Sequence, residues 1–121
     1  MENIIFRAKL ISNGIWVYGS YVHALQFKGK TTEHQIINFY TGTVFEVDGE
    51  TVCKFTGEFD RKSEMIFEGD IVMTDDCVFI GKVKFVNAMF IIVNGERFRQ
   101  NPYWTGCKVI GNVFDNPELL K

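Results

Sequence analysis

Glu68, Asp70, Asp75 and Asp76 bracket the apolar triplet Ile71-Val72-Met73. Carboxylates gathered this closely can hold Mg²⁺ or share acid–base work, and a metal-dependent enzyme built on them is one reading of the chain. A plainer reading uses the same residues as turn formers. Glu68-Gly69-Asp70 suits a turn before a strand, with the Asp side chain accepting from nearby backbone amides, and Asp75-Asp76 suits the loop that ends that strand. The turn reading is preferred, because carboxylates on loops are common and no ligand spacing accompanies these. Cys53, Cys77 and Cys107, with His23 and His34, offer a second chemistry: zinc ligation or a Cys–His nucleophile. Paired zinc cysteines usually stand about 2–4 residues apart, and these are scattered. Cys53 and Cys107 fall in apolar strand patterns, which points to core packing. The odd count argues against a secreted disulfide framework and for reduced, buried thiols in the cytoplasm. No catalytic residue, metal or cofactor is therefore expected.

A third chemistry is recognition of single-stranded nucleic acid. The stretch Glu96-Arg97-Phe98-Arg99-Gln100-Asn101-Pro102-Tyr103-Trp104 interleaves basic and aromatic side chains. Such a mixture can stack bases and hold phosphates. In a strand, Arg97 and Arg99 share one face and Phe98 takes the other. The candidate surface is Lys82, Lys84, Arg97, Arg99, Tyr103 and Trp104. Against it stands a formal net charge of -2, which gives no global attraction to phosphate. The preferred alternative leaves the arginines on a wet face and Tyr103 and Trp104 in a core or an interface. Trp16 and Tyr18 are interface candidates too, because Ile15-Trp16-Val17-Tyr18 is apolar on both faces and aromatics often anchor subunit contacts.

The elements that must position these residues read as strands. Helical periodicity is weak throughout, and the 12 Phe residues suit a pleated, aromatic-rich core. Ile4 to Ile11 opens the chain, and Gly14 turns it into Ile15 to Tyr18. Thr32-Glu33-His34-Gln35 resembles a helix capping box, but the β-branched and aromatic run Ile36 to Tyr40 favours a strand. Thr43 to Val47, Val52 to Phe55 and Ile71 to Met73 follow. Lys82 and Lys84 alternate with Val83 and Phe85, a half-buried strand with one wet face. Asn94-Gly95, between Met89 to Val93 and Glu96 to Phe98, predicts a type I′ hairpin. Gly111-Asn112, between Val109-Ile110 and Val113-Phe114, predicts a bend or bulge, and Asn116-Pro117-Glu118 predicts one last helical turn. A length of 121 residues is one domain's worth. The start has no basic segment before an apolar run, so no signal peptide is expected. No run approaches the ~18 apolar residues of a membrane span.

Four segments resemble the YopX family of phage and prophage proteins, in the family's order from start to end. They are Phe6-Arg7-Ala8-Lys9 with Gly14-Ile15-Trp16-Val17-Tyr18-Gly19; Val47-Asp48-Gly49-Glu50-Thr51-Val52-Cys53-Lys54-Phe55-Thr56-Gly57; Ile66-Phe67-Glu68-Gly69-Asp70-Ile71-Val72; and Val109-Ile110-Gly111-Asn112-Val113-Phe114-Asp115-Asn116-Pro117-Glu118-Leu119-Leu120. The chain departs from the family at Gly49, where Pro is common, and at Asp60-Arg61-Lys62-Ser63, where the family tends to have Asn-Gly. A different turn is expected at the second. The resemblance implies a mainly β fold and a phage or prophage setting, with no activity or catalytic residue to carry over. The reading is thus a single domain over 1–121. Its fold is mainly β, a small barrel-like fold, closed or open, with a short C-terminal helical turn. The expected role is a non-enzymatic accessory protein in the bacterial cytoplasm, working through contacts with a phage or host protein or with its own copies, away from membranes.

Overall fold

The computed structural model describes residues 5–23 and 33–120. The strands run β1 Phe6–Lys9, β2 Trp16–His23, β3 His34–Ile37, β4 Val44–Glu46, β5 Cys53–Phe59, β6 Met65–Phe67, β7 Asp70–Met73, β8 Ile80–Val86, β9 Met89–Asn94, β10 Arg97–Arg99 and β11 Lys108–Asn112. Short 3-10 turns stand at Gly49–Thr51, Trp104–Gly106 and Pro117–Leu120. The mainly β reading and the C-terminal helical turn therefore hold. Every strand pairing described is antiparallel. Among the described residues no helix is long and apolar enough to cross a membrane. The chain divides into two compact units, Met1–Lys54 and Phe55–Lys121.

In the first unit β4, β3, β2 and β1 lie side by side, and Cys53 and Lys54 of β5 pair with β1. The sheet curls back on itself. Leu10 bridges Val47, Ile11 N–H donates to the Glu46 carbonyl at 3.2 Å, and Asp48 N–H donates to the Lys9 carbonyl at 2.9 Å. These contacts join the ends of β1 and β4, but among the described residues no ladder closes the ring, so the form is open. Ala8, Ile36 and Val47 fill the inside, with Phe6, Leu10, Val17, Tyr21, Phe45 and Val52 packed around them. The strand expected over Ile36 to Tyr40 is displaced to His34–Ile37. Asn38 ends it, because its Oδ1 accepts from Tyr40 N–H at 2.9 Å and Thr41 N–H at 3.0 Å. That side chain offers the backbone a turn in place of a ladder. Thr32 and Ile4 lie outside the described residues.

In the second unit β10-β9-β8-β7-β11 form a sheet, and the later part of β5 pairs with β6. Ile66, Val72, Phe79, Val83, Ile92 and Cys107 form the core, flanked by Phe90, Trp104 and Val109. Each large apolar side chain buried here contributes about 1.5–3 kcal/mol. Val83 is buried as expected, but Phe85, two residues on, is 48% exposed. Phe85 runs past the core and packs on Phe90 instead, ring centroids 4.8 Å apart.

Asp60 organises the loop between β5 and β6. Its Oδ1 accepts from Lys62 N–H and Glu64 N–H, both at 2.9 Å, and its Oδ2 accepts from Val109 N–H at 3.0 Å. Ser63 closes the loop in the left-handed region, φ 63°, which is the different turn expected at residues 60–63. The bulge expected near Gly111 is present, between Val109 and Gly111 in the β11–β7 pairing.

The hairpin expected at Asn94-Gly95 forms, but its turn lies one residue later. Asn94 pairs with Arg97, leaving Gly95 and Glu96 as the central residues. Only Gly95 has positive φ, 61°, which fits a type II′ turn and corrects the type I′ reading. The cause is Asn94 itself: its Nδ2 donates to the Ile80 carbonyl at 3.0 Å and holds the residue in the sheet. The turn with two positive φ values is Asn87-Ala88, at 50° and 64°, between the partners Val86 and Met89.

Candidate functional site

The six basic and aromatic candidates do not share one surface. Lys82 faces Val93 in the β8–β9 register, and Val93 faces Phe98 of β10. Directly opposed residues lie on one face of a sheet, so Lys82, Lys84 and Phe98 share a face. Val83, Ile92 and Arg99 line up on the other face, the one that carries the core. Arg97 and Arg99 share that face, as their spacing predicts. Their guanidinium carbons sit 5.4 and 4.7 Å from the centroid of the buried Phe79 ring, a cation–π arrangement that caps the core. Trp104 packs against the same core, while Tyr103 is 65% exposed. In the first unit Trp16 is covered by cations from β1: Arg7 lies 4.6 Å and Lys9 5.4 Å from its ring centroid. Tyr18 remains exposed.

The acidic candidates work on backbone. Asp70 is buried, and its Oδ2 accepts from Phe67 N–H at 2.8 Å across the β6–β7 turn. Asp76 accepts from the Thr74 hydroxyl and from Val78 N–H at 3.0 Å. The Thr74 hydroxyl, with the Val78 amide, holds the Asp76 carboxyl below the usual carboxylate range. Among the described residues the carboxylates at 68, 70, 75 and 76 do not gather three ligand atoms around one point. Asp70 and Asp76 are thus used in turns, as the plainer reading has it.

The thiols also hold structure. Cys53 and Cys107 are buried, with Cys53 Sγ donating to the Thr51 carbonyl at 3.2 Å and Cys107 Sγ to the Tyr103 carbonyl at 3.3 Å. Burial, reinforced by the charges of Asp75, Asp60 and Asp76, pushes the Cys107 thiol up to about 11, so it stays protonated. Cys77 is exposed, contrary to the buried reading, because it occupies a left-handed turn position, φ 59°. No cysteine joins the histidines in a set of metal-ligating atoms among the described residues.

His23 and His34, weighed from the sequence only together with the cysteines, meet with Glu33 at the end of the β2–β3 pair. His23 and His34 are direct register partners, and their rings stack at 4.6 Å with 11° between planes. Glu33 reaches over the pair, its Oε2 3.7 Å from His23 Nε2. The Tyr21 hydroxyl is 2.6 Å from His34 Nδ1. Burial pushes that hydroxyl up from its ordinary value, so it is protonated. The ring of His34 rests on Gly49: an added Cβ there would lie 2.4 Å from both Cδ2 and Nε2. The glycine at this departure from the family pattern therefore makes room for the imidazole. One ligand atom from each of His23, Glu33 and His34 lies within 4.8 Å of the other two. Glu33 and His34 also line a cleft of about 490 Å³ with Lys9, Leu10, Val47 and Asp48. The only advance signal was the presence of both histidines; the register that joins them is not written in their spacing.

A second, smaller cleft of about 350 Å³ lies beside the joined ends of β1 and β4, lined by Leu10, Ile11, Ser12, Val44, Phe45 and Glu46. Ile11 is 60% and Val44 52% exposed, so two large apolar side chains face solvent at one place. No curated protein matches the chain. The family model described as YopX protein matches residues 5–121, nearly the whole chain, and the chain belongs to the YopX family.

Proposed function

We propose that this chain is a non-enzymatic accessory protein of a phage or prophage. It acts in the bacterial cytoplasm through protein contacts, a second copy of itself first among them. The observation that carries this reading is the exposure of Ile11 and Val44 on one cleft of the first unit. Apolar side chains so placed gain from being covered, and such patches mark contact sites. The resemblance to the YopX family, which implies a phage or prophage setting, supports that setting. The engagement of Asp60, Asp70, Asp76 and Cys107 in turns and core supports a non-enzymatic role. The two compact units serve as one domain on this reading, since a single family model runs through both. Light scattering tests it: the solution mass should exceed 14.0 kDa and fall in the Ile11→Glu, Val44→Glu double variant. A mass that ignores those substitutions would remove this surface from the reading.

A second reading is binding of single-stranded nucleic acid. Lys82, Lys84 and the 54%-exposed Phe98 on one sheet face favour it. Phe98 then takes the stacking role, and Arg97 and Arg99, over Phe79, contribute charge from the opposite face.

A further inference from the structure

We propose that His23, Glu33 and His34 form a binding site for a divalent transition-metal ion of the zinc class, open toward the cleft of the first unit. Two imidazoles and a carboxylate are a borderline donor set. Oxygen-seeking Mg²⁺ and Ca²⁺ favour carboxylates, carbonyls and water, whereas imidazole suits zinc and its neighbours. The donors are close: His23 Nε2 and Glu33 Oε2 are 3.7 Å apart, and one atom of each residue lies within 4.8 Å of the others, although the stacked His23 ring must turn out of the stack for both imidazole lone pairs to meet one ion. Around a tetrahedral ion with bonds near 2.0–2.1 Å, donor atoms stand about 3.3 Å apart. Rotation of the partly exposed His23 and Glu33 side chains, at 59% and 41%, supplies the remaining movement.

Three further features fit an ion. The register places His23 and His34 directly opposite, so neither backbone has to shift. The Tyr21 hydroxyl on His34 Nδ1 orients the ring. In the tautomer that donates Nδ1–H to that hydroxyl, Nε2 carries the free lone pair a cation takes, an outer-shell arrangement common at metal-bound histidines. Gly49, with no Cβ, lets that ring seat against the backbone and so fixes where its Nε2 lies. Three protein ligands leave at least one position for water or a small anion, as at open zinc sites. Since Glu33 and His34 line the cleft with Lys9 and Asp48, that position gives onto it. A bound ion would also tie β2 to β3 across the chain that connects them.

Isothermal titration of the full chain with Zn²⁺ tests the proposal. The expected result is saturable uptake of one ion per chain, a higher melting temperature with Zn²⁺ and no competition from millimolar Mg²⁺. His23→Ala and Glu33→Gln, both at partly exposed side chains, should each weaken uptake at least tenfold while leaving the circular dichroism spectrum unchanged. Tyr21→Phe should weaken it by about tenfold, as loss of an outer-shell partner does. Cys77→Ser should change nothing. The proposal is overturned if no saturable uptake occurs, if both His23→Ala and Glu33→Gln bind as tightly as the parent, or if Cys77→Ser abolishes binding.

Discussion

Ala88 occupies the second central position of the β8–β9 turn at φ 64°, exposed, after Asn87 at 50°. A residue with a Cβ stays in the left-handed region at a cost of about 1–2 kcal/mol. Glycine escapes that cost but gives back about 0.4–1 kcal/mol through the greater freedom of the unfolded chain. The exposed methyl has little packing to lose. Ala88→Gly should therefore stabilise the fold by about 0.5–1 kcal/mol. For a domain of this size that is about 2–5 °C in Tm. Guanidinium chloride titration followed by circular dichroism gives the free energy, and a thermal scan gives the shift. Gly95→Ala is the mirror experiment. Gly95 has φ 61°, and nothing lies within 4 Å of an added Cβ, so only backbone conformation changes and a similar loss is expected. If Ala88→Gly is neutral or destabilising and Gly95→Ala is neutral, the reasoning about these two turns is wrong.

Asp60 makes a pH prediction. Burial raises its carboxyl, but the Val109, Glu64 and Lys62 amides and the Lys62 charge outweigh that and hold it below its ordinary value of 3.8. A carboxyl lowered by folding stabilises above its unfolded value and ceases to do so as the pH falls through the folded one. Stability should thus drop as the pH passes below 3.8, and Asp60→Asn should flatten that drop. At neutral pH Asp60→Asn should cost about 1–3 kcal/mol, because an amide N–H₂ would face a backbone N–H donor. For nucleic acid, Lys82→Ala with Lys84→Ala should weaken any salt-sensitive binding of single-stranded DNA more than Arg97→Ala with Arg99→Ala does. Equal loss in a fluorescence anisotropy titration would contradict the split across two sheet faces.

The strands were largely legible because their apolar and β-branched runs are local. Gly111 marked the bulge, and Pro117 marked the last helical turn. Errors arose where a side chain redirected the backbone: Asn38 cut β3 short, and Asn94 stayed in the sheet and moved its turn. Asn87-Ala88 carried no visible turn signal, since alanine is a poor choice at positive φ. The pairing of Arg97 with Arg99 followed from their spacing alone. Their separation from Lys82 and Lys84 required the register of three strands. The histidine cluster was hidden for the same reason, because His23 and His34 meet only through the pairing of β2 with β3.

The proposed action by protein contact through the Ile11–Val44 surface has a direct consequence for solution mass. Light scattering across a concentration series, with and without short single-stranded DNA at low and moderate salt, tests it most directly. The expected result is a defined mass above 14.0 kDa that is indifferent to DNA and falls in the Ile11→Glu, Val44→Glu variant. A mass of 14.0 kDa at every concentration, rising only with DNA and falling again with salt, would contradict it and move attention to Lys82, Lys84 and Phe98.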